Sequence, residues 1–215
     1  MSDVGDIWSD EGTADPRPRD PVAEIVVVCT ANICRSPIAE AMLRRAATER
    51  IGRDAPVHLS SSGIHGLAGE PAAPLSADEA VERGLDLSRH VARVTDAEGV
   101  ARADLVLTMT ERHRGRIVRL HPPAARSTFT IKEFARLTAA LKPVEGDLAV
   151  RERVRFVTRL AHGARAYVAR PPGSEDVADP YGGPREGYVE TADELATLVD
   201  AIAPQLFGWR PGEAR

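Results

Sequence analysis

The chain has 215 residues, of which 43% are hydrophobic and 28% charged, enough apolar material for one well-buried domain but little for two. The formal net charge of −4 comes from the first 21 residues, and the remainder is neutral overall. A neutral body argues against general nucleic-acid binding, which depends on a basic surface. Two cysteines are too few for a disulfide-stapled secreted scaffold. The sequence also has no apolar run of membrane-span length and no signal-peptide pattern. We therefore expect a cytoplasmic location with reduced thiols.

Residues 1–21 combine six acidic side chains with three prolines and few apolar residues. This composition predicts a disordered acidic leader, with a docking segment around Trp8 as the alternative. Residues 22–215 are expected to form a single domain.

Hydrophobic spacing after the leader alternates between strand and helix patterns. Short apolar and β-branched runs predict strands at 24–28, 57–61, 104–109 and 126–130. Helical spacing with start and stop signals predicts helices at 36–51, 76–83, 110–120, 131–141, 148–168 and 191–206. The alternation indicates an α/β fold in three α/β/α layers around a four-stranded parallel sheet, with Rossmann-like or flavodoxin-like topology.

The loop 29–35 lies between the first strand and a helix that Ser36 and Pro37 open. Ligands of parallel α/β sheets bind at the carboxyl ends of the strands, where this loop is expected. Its backbone N–H groups would surround an anion, the helix adds its positive end, and Arg35 can hold two phosphate oxygens. Cys29 lies in the same field, which favours a thiolate placed to attack a bound phosphoryl group in line. The hydroxyl of Ser36 can donate to that sulfur. The phosphate-binding residues are predicted to be Thr30, Ala31, Asn32, Ile33, Cys34, Arg35 and Ser36.

The run Cys-Thr-Ala-Asn-Ile-Cys-Arg-Ser-Pro-Ile-Ala-Glu at 29–40 resembles the signature of the low-molecular-weight protein tyrosine phosphatases. The resemblance continues at 61–63, 88–93 and 104–109, and it ends with Asp-Pro-Tyr-Gly at 179–182. It covers roughly 24–141 and 176–206. The stretches 63–66 and 130–134 look more like the bacterial branch that is linked to polysaccharide export.

This resemblance implies hydrolysis of phosphotyrosine through a cysteinyl-phosphate intermediate, without a cofactor or metal. Asp179 would give the leaving group its proton and then activate water, which suits a phenolate leaving group. Tyr181 would line the mouth of the pocket and stack on the substrate ring. Ser61 and His90 would tether Asn32, whose type tolerates the left-handed conformation. The expected partner is a phosphotyrosine protein, with a tyrosine kinase of polysaccharide export as a candidate.

The sequence departs from the family pattern in two places. Alanine stands at position 31, where the family usually has glycine, so the loop loses freedom if that position needs positive φ. Activity is then expected to be lower. The stretch 142–175 is longer than usual and is predicted to insert an amphipathic helix with a solvated arginine face. The arginines in question are Arg151, Arg153, Arg155, Arg159 and Arg165.

Cys34 follows Cys29 by five residues in a tight loop, so a reversible protective disulfide is one hypothesis for it. The alternative is a small buried packing residue. The other histidines, His58, His113, His121 and His162, are interpreted as ordinary structural or surface residues.

Two other functions remain open on the sequence. An arsenate reductase of the same fold would use the same loop, but the chain has no third cysteine for a thiol relay. A non-catalytic module that binds phosphate or phosphotyrosine would not need nucleophile, arginine and acid together. A zinc site is not expected, because the two cysteines lack two further ligands at workable spacing.

Overall fold

The computed structural model describes residues 22–209, so the leader predicted at 1–21 lies outside the described residues. Four strands form one sheet: β1 (Ala23–Cys29), β2 (Val57–Gly63), β3 (Leu105–Thr108) and β4 (Thr128–Thr130). The helices are α1 (Arg35–Ile51), α2 (Pro74–Glu82), α3 (Ala97–Arg102), α4 (Glu111–Leu120), α5 (Ile131–Ala139), α6 (Val150–Ala164) and α7 (Arg185–Phe207), with a 3-10 helix at Pro122–Arg126. No helix within 22–209 is long and apolar enough to cross a bilayer.

The sheet is entirely parallel, in the order β2-β1-β3-β4. The chain moves from β1 to β2 on one side and then crosses to β3 on the other. The switch in direction therefore lies between β1 and β3, where ligands of open α/β sheets bind. Cys29 is the last residue of β1, so the 29–35 loop begins at this switch point. The predicted four-stranded parallel α/β fold is confirmed.

Both faces of β1 are covered, because alternate residues of a strand point to opposite sides. Ile25 and Val27 belong to the larger apolar cluster, which includes α1, α5, α6 and α7. Val28 belongs to a smaller cluster on the opposite face with Val100 of α3 and Ile117 of α4. The sheet therefore lies between two layers of helices. Burial on both faces explains why the sequence of β1 contains an uninterrupted run of β-branched residues.

Several element boundaries differ from the sequence prediction. Helix α7 begins at Arg185, six residues before the predicted start, and Pro184 occupies its N-cap position. Arg126 belongs to the 3-10 helix and not to β4. Helix α3 was not predicted, because it is only six residues long and shows no clear period; the Asp96 side chain caps it by accepting from the Gly99 N–H at 2.6 Å.

The stretch 142–175 does contain the predicted amphipathic helix, α6, whose apolar face is buried at Val154, Val157, Ala161 and Ala164. The prediction of a solvated arginine face was wrong for Arg151 and Arg153, which are both buried. Arg153 donates to the carbonyls of Val144 and Gly146 at 2.8 and 2.7 Å. These internal acceptors compensate the guanidinium for the loss of water. The segment is therefore an integral part of the core.

A buried carboxylate joins α6 to the sheet. Asp104 precedes β3 and accepts from the backbone N–H of Glu24 at 3.0 Å. The same side chain lies 3.0 Å from the Nε atoms of both Arg151 and Arg155. One carboxylate therefore holds the start of β1, the start of β3 and the first turns of α6 together.

Replacing Asp104 by alanine is expected to lower the free energy of unfolding by about 3 kcal/mol, because the buried Arg151 loses its carboxylate. The matched control is Glu98→Ala, which removes an exposed carboxylate that pairs with Arg102 within one helix. That change should cost only about 0.5 kcal/mol. Urea unfolding of the three proteins measures both values, and equal losses in the two variants would contradict the prediction.

Candidate active site

Five consecutive carbonyl groups of the 29–35 loop accept hydrogen bonds from residues outside it. The Cys29 and Thr30 carbonyls accept from the N–H groups of Ile64 and His65 at 3.0 and 2.9 Å. The Ala31 and Ile33 carbonyls accept from the N–H groups of Leu67 and Ala73 at 3.1 and 2.8 Å. The Asn32 carbonyl accepts from His90 Nε2 at 2.7 Å. The donors form one wall, made of the segment 64–73 and His90. The loop is therefore attached to the body of the domain through its carbonyls.

This attachment determines where the N–H groups of the loop point. In a trans peptide the N–H lies opposite the preceding carbonyl, and no peptide bond within 22–209 is cis. With the carbonyls directed to the wall, the N–H groups face the interior of the loop. Helix α1 begins at Arg35, and the first N–H groups of a helix have no acceptor within it. The loop and the helix end together form a cradle for an anion.

Asn32 is the one residue other than glycine within 22–209 that has a positive φ, at 62°. Its side-chain amide donates to Ser36 Oγ at 2.9 Å and to Ser61 Oγ at 2.8 Å. Its side-chain oxygen accepts from the Arg93 N–H at 2.8 Å. Together with the bond from His90 to the Asn32 carbonyl, these contacts hold the left-handed turn in place. Ser61 thus contacts the side chain of Asn32, and His90 contacts its backbone carbonyl.

Ala31 does not have a positive φ, so the alanine at this position introduces no backbone strain. The position at which the loop does need a glycine is Gly63, at the end of β2, because the backbone of the loop lies close to it. A Cβ at Gly63 would lie 2.5 Å from the Thr30 carbonyl oxygen and 2.9 Å from the Asn32 nitrogen. A side chain there would push the loop away from the sheet, so this position requires glycine.

Cys29 is buried at the end of β1, with its sulfur at the base of the loop. The sulfur lies 3.0 Å from Ser36 Oγ and accepts from the Asn32 N–H at 3.2 Å. Both groups can donate to a thiolate.

Cys34 is also a free buried thiol, and burial raises its pKa, with the neighbouring Cys29 adding to the effect. A raised pKa keeps Cys34 protonated, which makes it a slow partner in thiol exchange. Its redox role stays a prediction.

Arg35 is 3% exposed and makes contacts on two sides of its guanidinium. Nη1 donates to the Val177 carbonyl at 3.1 Å, and Nη2 lies 2.5 Å from Asp179 Oδ2. The Nε atom is buried and has no hydrogen-bond partner. A buried donor without a partner is costly. The guanidinium is therefore suited to receive oxygens of a bound anion.

Asp179 comes to Arg35 on a segment that is tied to the end of β3. The Val177 N–H donates to the Met109 carbonyl at 2.8 Å, and Asp176 accepts from the Glu111 N–H at 2.8 Å. The Asp179 side chain itself is 47% exposed, so it sits between Arg35 and solvent. Tyr181 follows on the same segment and is 65% exposed; its place at the mouth of the pocket stays a prediction.

Sequence reasoning missed three features of this site. The first is the requirement for glycine at position 63, and the second is the Val177 carbonyl that accepts from Arg35. The third is His113, whose Nε2 lies 3.0 Å from the Thr30 hydroxyl. A signal was available for the histidine, because His113 and Ile117 are spaced i, i+4 on the buried face of α4. Within 22–209 we find no group of three or more side chains that could hold a metal ion.

Replacing Gly63 by alanine is expected to weaken binding of inorganic phosphate about tenfold or more, because the new methyl group displaces the loop from its anion-binding geometry. Titration calorimetry measures the affinity. Gly163→Ala in α6 is the matched control, since a Cβ there meets nothing within 4 Å. If Gly63→Ala binds phosphate as tightly as Gly163→Ala, the loop does not depend on this close approach.

Comparison with known proteins agrees with this geometry. The family model described as low molecular weight phosphotyrosine protein phosphatase matches residues 24–155. The probable low molecular weight protein-tyrosine-phosphatase EpsP of Ralstonia nicotianae is 34% identical over 69% of this chain and 96% of its own length. The protein-arginine-phosphatase of Bacillus subtilis is 32% identical over 85% of this chain and 96% of its own.

Solved structures show the same similarity. The low molecular weight protein tyrosine phosphatase from T. tengcongensis superposes with a TM-score of 0.62 at 32% identity, over 86% of this chain and 99% of that one. An arginine phosphatase, YwlE, was solved as a mutant with a phosphorylated active site serine. Its alignment covers 88% of this chain and 99% of that one, with a TM-score of 0.62 and 29% identity. The chain belongs to the low molecular weight phosphotyrosine protein phosphatase family.

Proposed function

We propose that this protein is a phosphatase that hydrolyses phosphotyrosine in proteins, with Cys29 as nucleophile, Arg35 as phosphate ligand and Asp179 as general acid. The observation that carries the proposal is the meeting of three groups at one loop. The sulfur of Cys29 lies at its base, Arg35 opens the helix behind it, and the carboxylate of Asp179 touches that guanidinium. Hydrolysis of an aryl phosphate needs these three groups: a nucleophile, a ligand for the phosphate oxygens and a proton donor for the leaving group.

In the first step the Cys29 sulfur attacks phosphorus in line, and the bond between phosphorus and the aryl oxygen breaks. Asp179 gives its proton to that oxygen, so the product leaves as a neutral phenol. The inward N–H groups of the loop and Arg35 stabilise the charge on the three equatorial oxygens. The product of this step is a cysteinyl-phosphate on Cys29. The phosphorylated serine in the related arginine phosphatase mutant supports an intermediate of this kind.

In the second step Asp179, now a carboxylate, takes a proton from water, and the resulting nucleophile attacks the same phosphorus. The sulfur–phosphorus bond breaks, inorganic phosphate leaves, and Cys29 returns to its thiolate. The donors at Ser36 and Asn32 stabilise the sulfur as leaving group, since both lie within 3.2 Å of it. Asp179 is protonated again and ready for the next substrate.

Asp179 has a second effect, because its carboxylate occupies the Arg35 Nη2 donor that a phosphate oxygen would use. Binding of substrate must shift the carboxylate from the guanidinium toward the leaving-group oxygen. The half-exposed position of Asp179 allows this movement without disturbing the core. The contact between Arg35 and the Val177 carbonyl keeps the guanidinium in place meanwhile.

The side chains around the loop favour an aromatic substrate. Leu67 and Tyr181 are among the exposed large apolar side chains, at 46% and 65% exposure. The Leu67 N–H binds the Ala31 carbonyl and the Tyr181 N–H binds Asp179 Oδ1, so both residues adjoin the phosphate site. An aryl ring above the loop can pack against such a rim.

Phosphoarginine is the second candidate substrate. The arginine phosphatases of Bacillus subtilis and Geobacillus stearothermophilus each align over 85% of this chain, a larger share than EpsP does. The deciding measurement is kcat/KM for one peptide that carries phosphotyrosine or phosphoarginine at the same position. We expect the phosphotyrosine peptide to be preferred at least tenfold; preference for phosphoarginine assigns the chain to the second activity.

We further propose that the protein acts in the cytoplasm on a phosphotyrosine protein, with a tyrosine kinase of polysaccharide export as one candidate. EpsP and the Escherichia coli proteins Etp and Wzb are named as protein-tyrosine-phosphatases, and similarity to them supports a phosphotyrosine protein as the substrate. A Cys29→Ser protein used as a trap should retain its phosphorylated substrate, and phosphoproteomics of the captured material identifies it.

Replacing Cys29 by serine is expected to abolish hydrolysis of p-nitrophenyl phosphate in the presence of a metal chelator, with little change in the free energy of unfolding. The hydroxyl is a far weaker nucleophile than the thiolate, while its size is similar. Cys34→Ser is the control and should retain most of the activity. Turnover that persists in Cys29→Ser contradicts the mechanism, and arsenate-dependent thiol oxidation faster than phosphatase turnover would indicate an arsenate reductase.

Replacing Asp179 by asparagine is expected to have opposite effects on turnover and on anion binding. The kcat/KM for phenyl phosphate should fall about a hundredfold or more, and the kcat/KM for p-nitrophenyl phosphate much less, because kcat/KM reports the first step, in which only the poorer leaving group needs the proton. Inorganic phosphate should bind several-fold more tightly, because the carboxylate no longer competes for Arg35. Steady-state kinetics and titration calorimetry measure the two effects. Weaker phosphate binding in Asp179→Asn would show that the two anions do not compete.

A further inference from the structure

His113 is a buried histidine beside the phosphate-binding loop that the mechanism above does not use. It lies in the first turn of α4, where its backbone N–H donates to the Thr110 hydroxyl at 3.1 Å. The side chain is 3% exposed. Its Nε2 lies 3.0 Å from the hydroxyl of Thr30, and its Nδ1 is buried without a hydrogen-bond partner. Thr30 is 83 residues away in the chain.

Arg35 and the balance of donors and acceptors favour one direction for these hydrogen bonds. Its Nη2 donates to Thr30 Oγ1 at 3.4 Å, and a guanidinium can only donate. The Thr30 oxygen therefore acts as acceptor toward Arg35, and its own proton is free to point to His113. The arrangement in which Nε2 accepts that proton and Nδ1 carries the ring proton leaves fewer buried groups unpaired than the reverse, because a hydroxyl that accepted from both sides would have no partner for its own proton. The three side chains form a chain of donors and acceptors from Arg35 through Thr30 to His113.

The charge state of His113 agrees with this direction. Burial, and then the positive charge of Arg35, lower the pKa of His113 to about 4. The imidazole is therefore neutral at neutral pH and can offer Nε2 as an acceptor. A protonated ring would donate at both nitrogens and would place a second positive charge beside Arg35.

We propose that His113 is a positioning residue, which acts through the Thr30 hydroxyl to hold the Arg35 guanidinium in the orientation that grips phosphate. The Arg35 Nη2 atom has two acceptors, Asp179 and Thr30. Because Asp179 must move toward the leaving group, Thr30 is the acceptor that remains at that atom during the reaction. His113 keeps the Thr30 oxygen turned toward Arg35 by taking its proton. This inference rests on the proposed function of Arg35 as the phosphate ligand.

The test compares His113→Phe, which keeps an aromatic ring without the acceptor, with His113→Gln, which restores a polar atom near the place of Nε2. Thr30→Val removes the intervening hydroxyl at nearly constant size, and a double variant combines it with His113→Phe. His121→Phe, at the C-cap of α4, is the control for a histidine exchanged at the other end of this helix. The measurements are the phosphate affinity by titration calorimetry, kcat and KM with p-nitrophenyl phosphate, and the free energy of unfolding.

We expect His113→Phe and Thr30→Val each to weaken phosphate binding about tenfold and to lower kcat/KM by at least that factor. The double variant should lie within about twofold of either single variant, because both changes break the same chain of hydrogen bonds. His113→Gln should recover affinity to within about threefold of the unmodified protein, and His121→Phe should match it.

Three results would overturn the inference: unchanged phosphate affinity in His113→Phe, effects that multiply in the double variant, or no recovery in a folded His113→Gln. An effect that follows the free energy of unfolding across all variants would also overturn it, since it would reflect packing alone. Failure of the proposed function is distinguishable, because it appears as absent turnover in the unmodified protein. Phosphate affinity still tests the role of His113 in that case.

Discussion

The outward anchoring of the 29–35 loop is the constraint on which the site depends. Four backbone N–H groups of the segment 64–73 and the ring of His90 hold five consecutive carbonyls of the loop. Because peptide bonds are planar and trans, the same contacts turn the N–H groups toward the phosphate site. The anion cradle is thus produced by bonds on its far side, which do not involve the anion itself. Such preorganisation means that little reorganisation is needed in the transition state.

The close contact between β2 and the loop serves the same constraint. Gly63 pairs with Cys29 across the two parallel strands and lets the backbone of Thr30 approach. Asn32 then completes the turn, with a side chain that reaches Ser36, Ser61 and the backbone of Arg93. Ala31 fits this loop because the left-handed conformation falls on its neighbour Asn32. The backbone conformation therefore puts no strain on an alanine at this position.

Arg35 links the anion cradle to the segment that carries Asp179. Its guanidinium contacts the Val177 carbonyl, the Asp179 carboxylate and the Thr30 hydroxyl, three groups from two distant parts of the chain. The segment 176–179 is in turn attached to Met109 and Glu111, at the end of β3 and the start of α4. His113 lies in the first turn of α4, close to Glu111 in the chain. Asp179, Arg35 and His113, for which we propose the roles of proton donor, phosphate ligand and positioning residue, therefore all lie at the carboxyl edge of the sheet. Asp104 and α6 are attached at the opposite end of β3.

Local patterns in the sequence determined the strand, loop and helix that contain Cys29 and Arg35, because β-branched runs, a helix-opening Ser-Pro pair and helical spacing act over a few residues. The parallel sheet followed from the alternation of such elements, and Asp179, Ser61 and His90 were identified from their resemblance to a family. Only the tertiary structure decided the burial of Arg151, the glycine requirement at position 63 and the contact between His113 and Thr30. Each of these depends on a partner far along the chain, and no local pattern of hydrophobicity or charge encodes which distant group a side chain will meet.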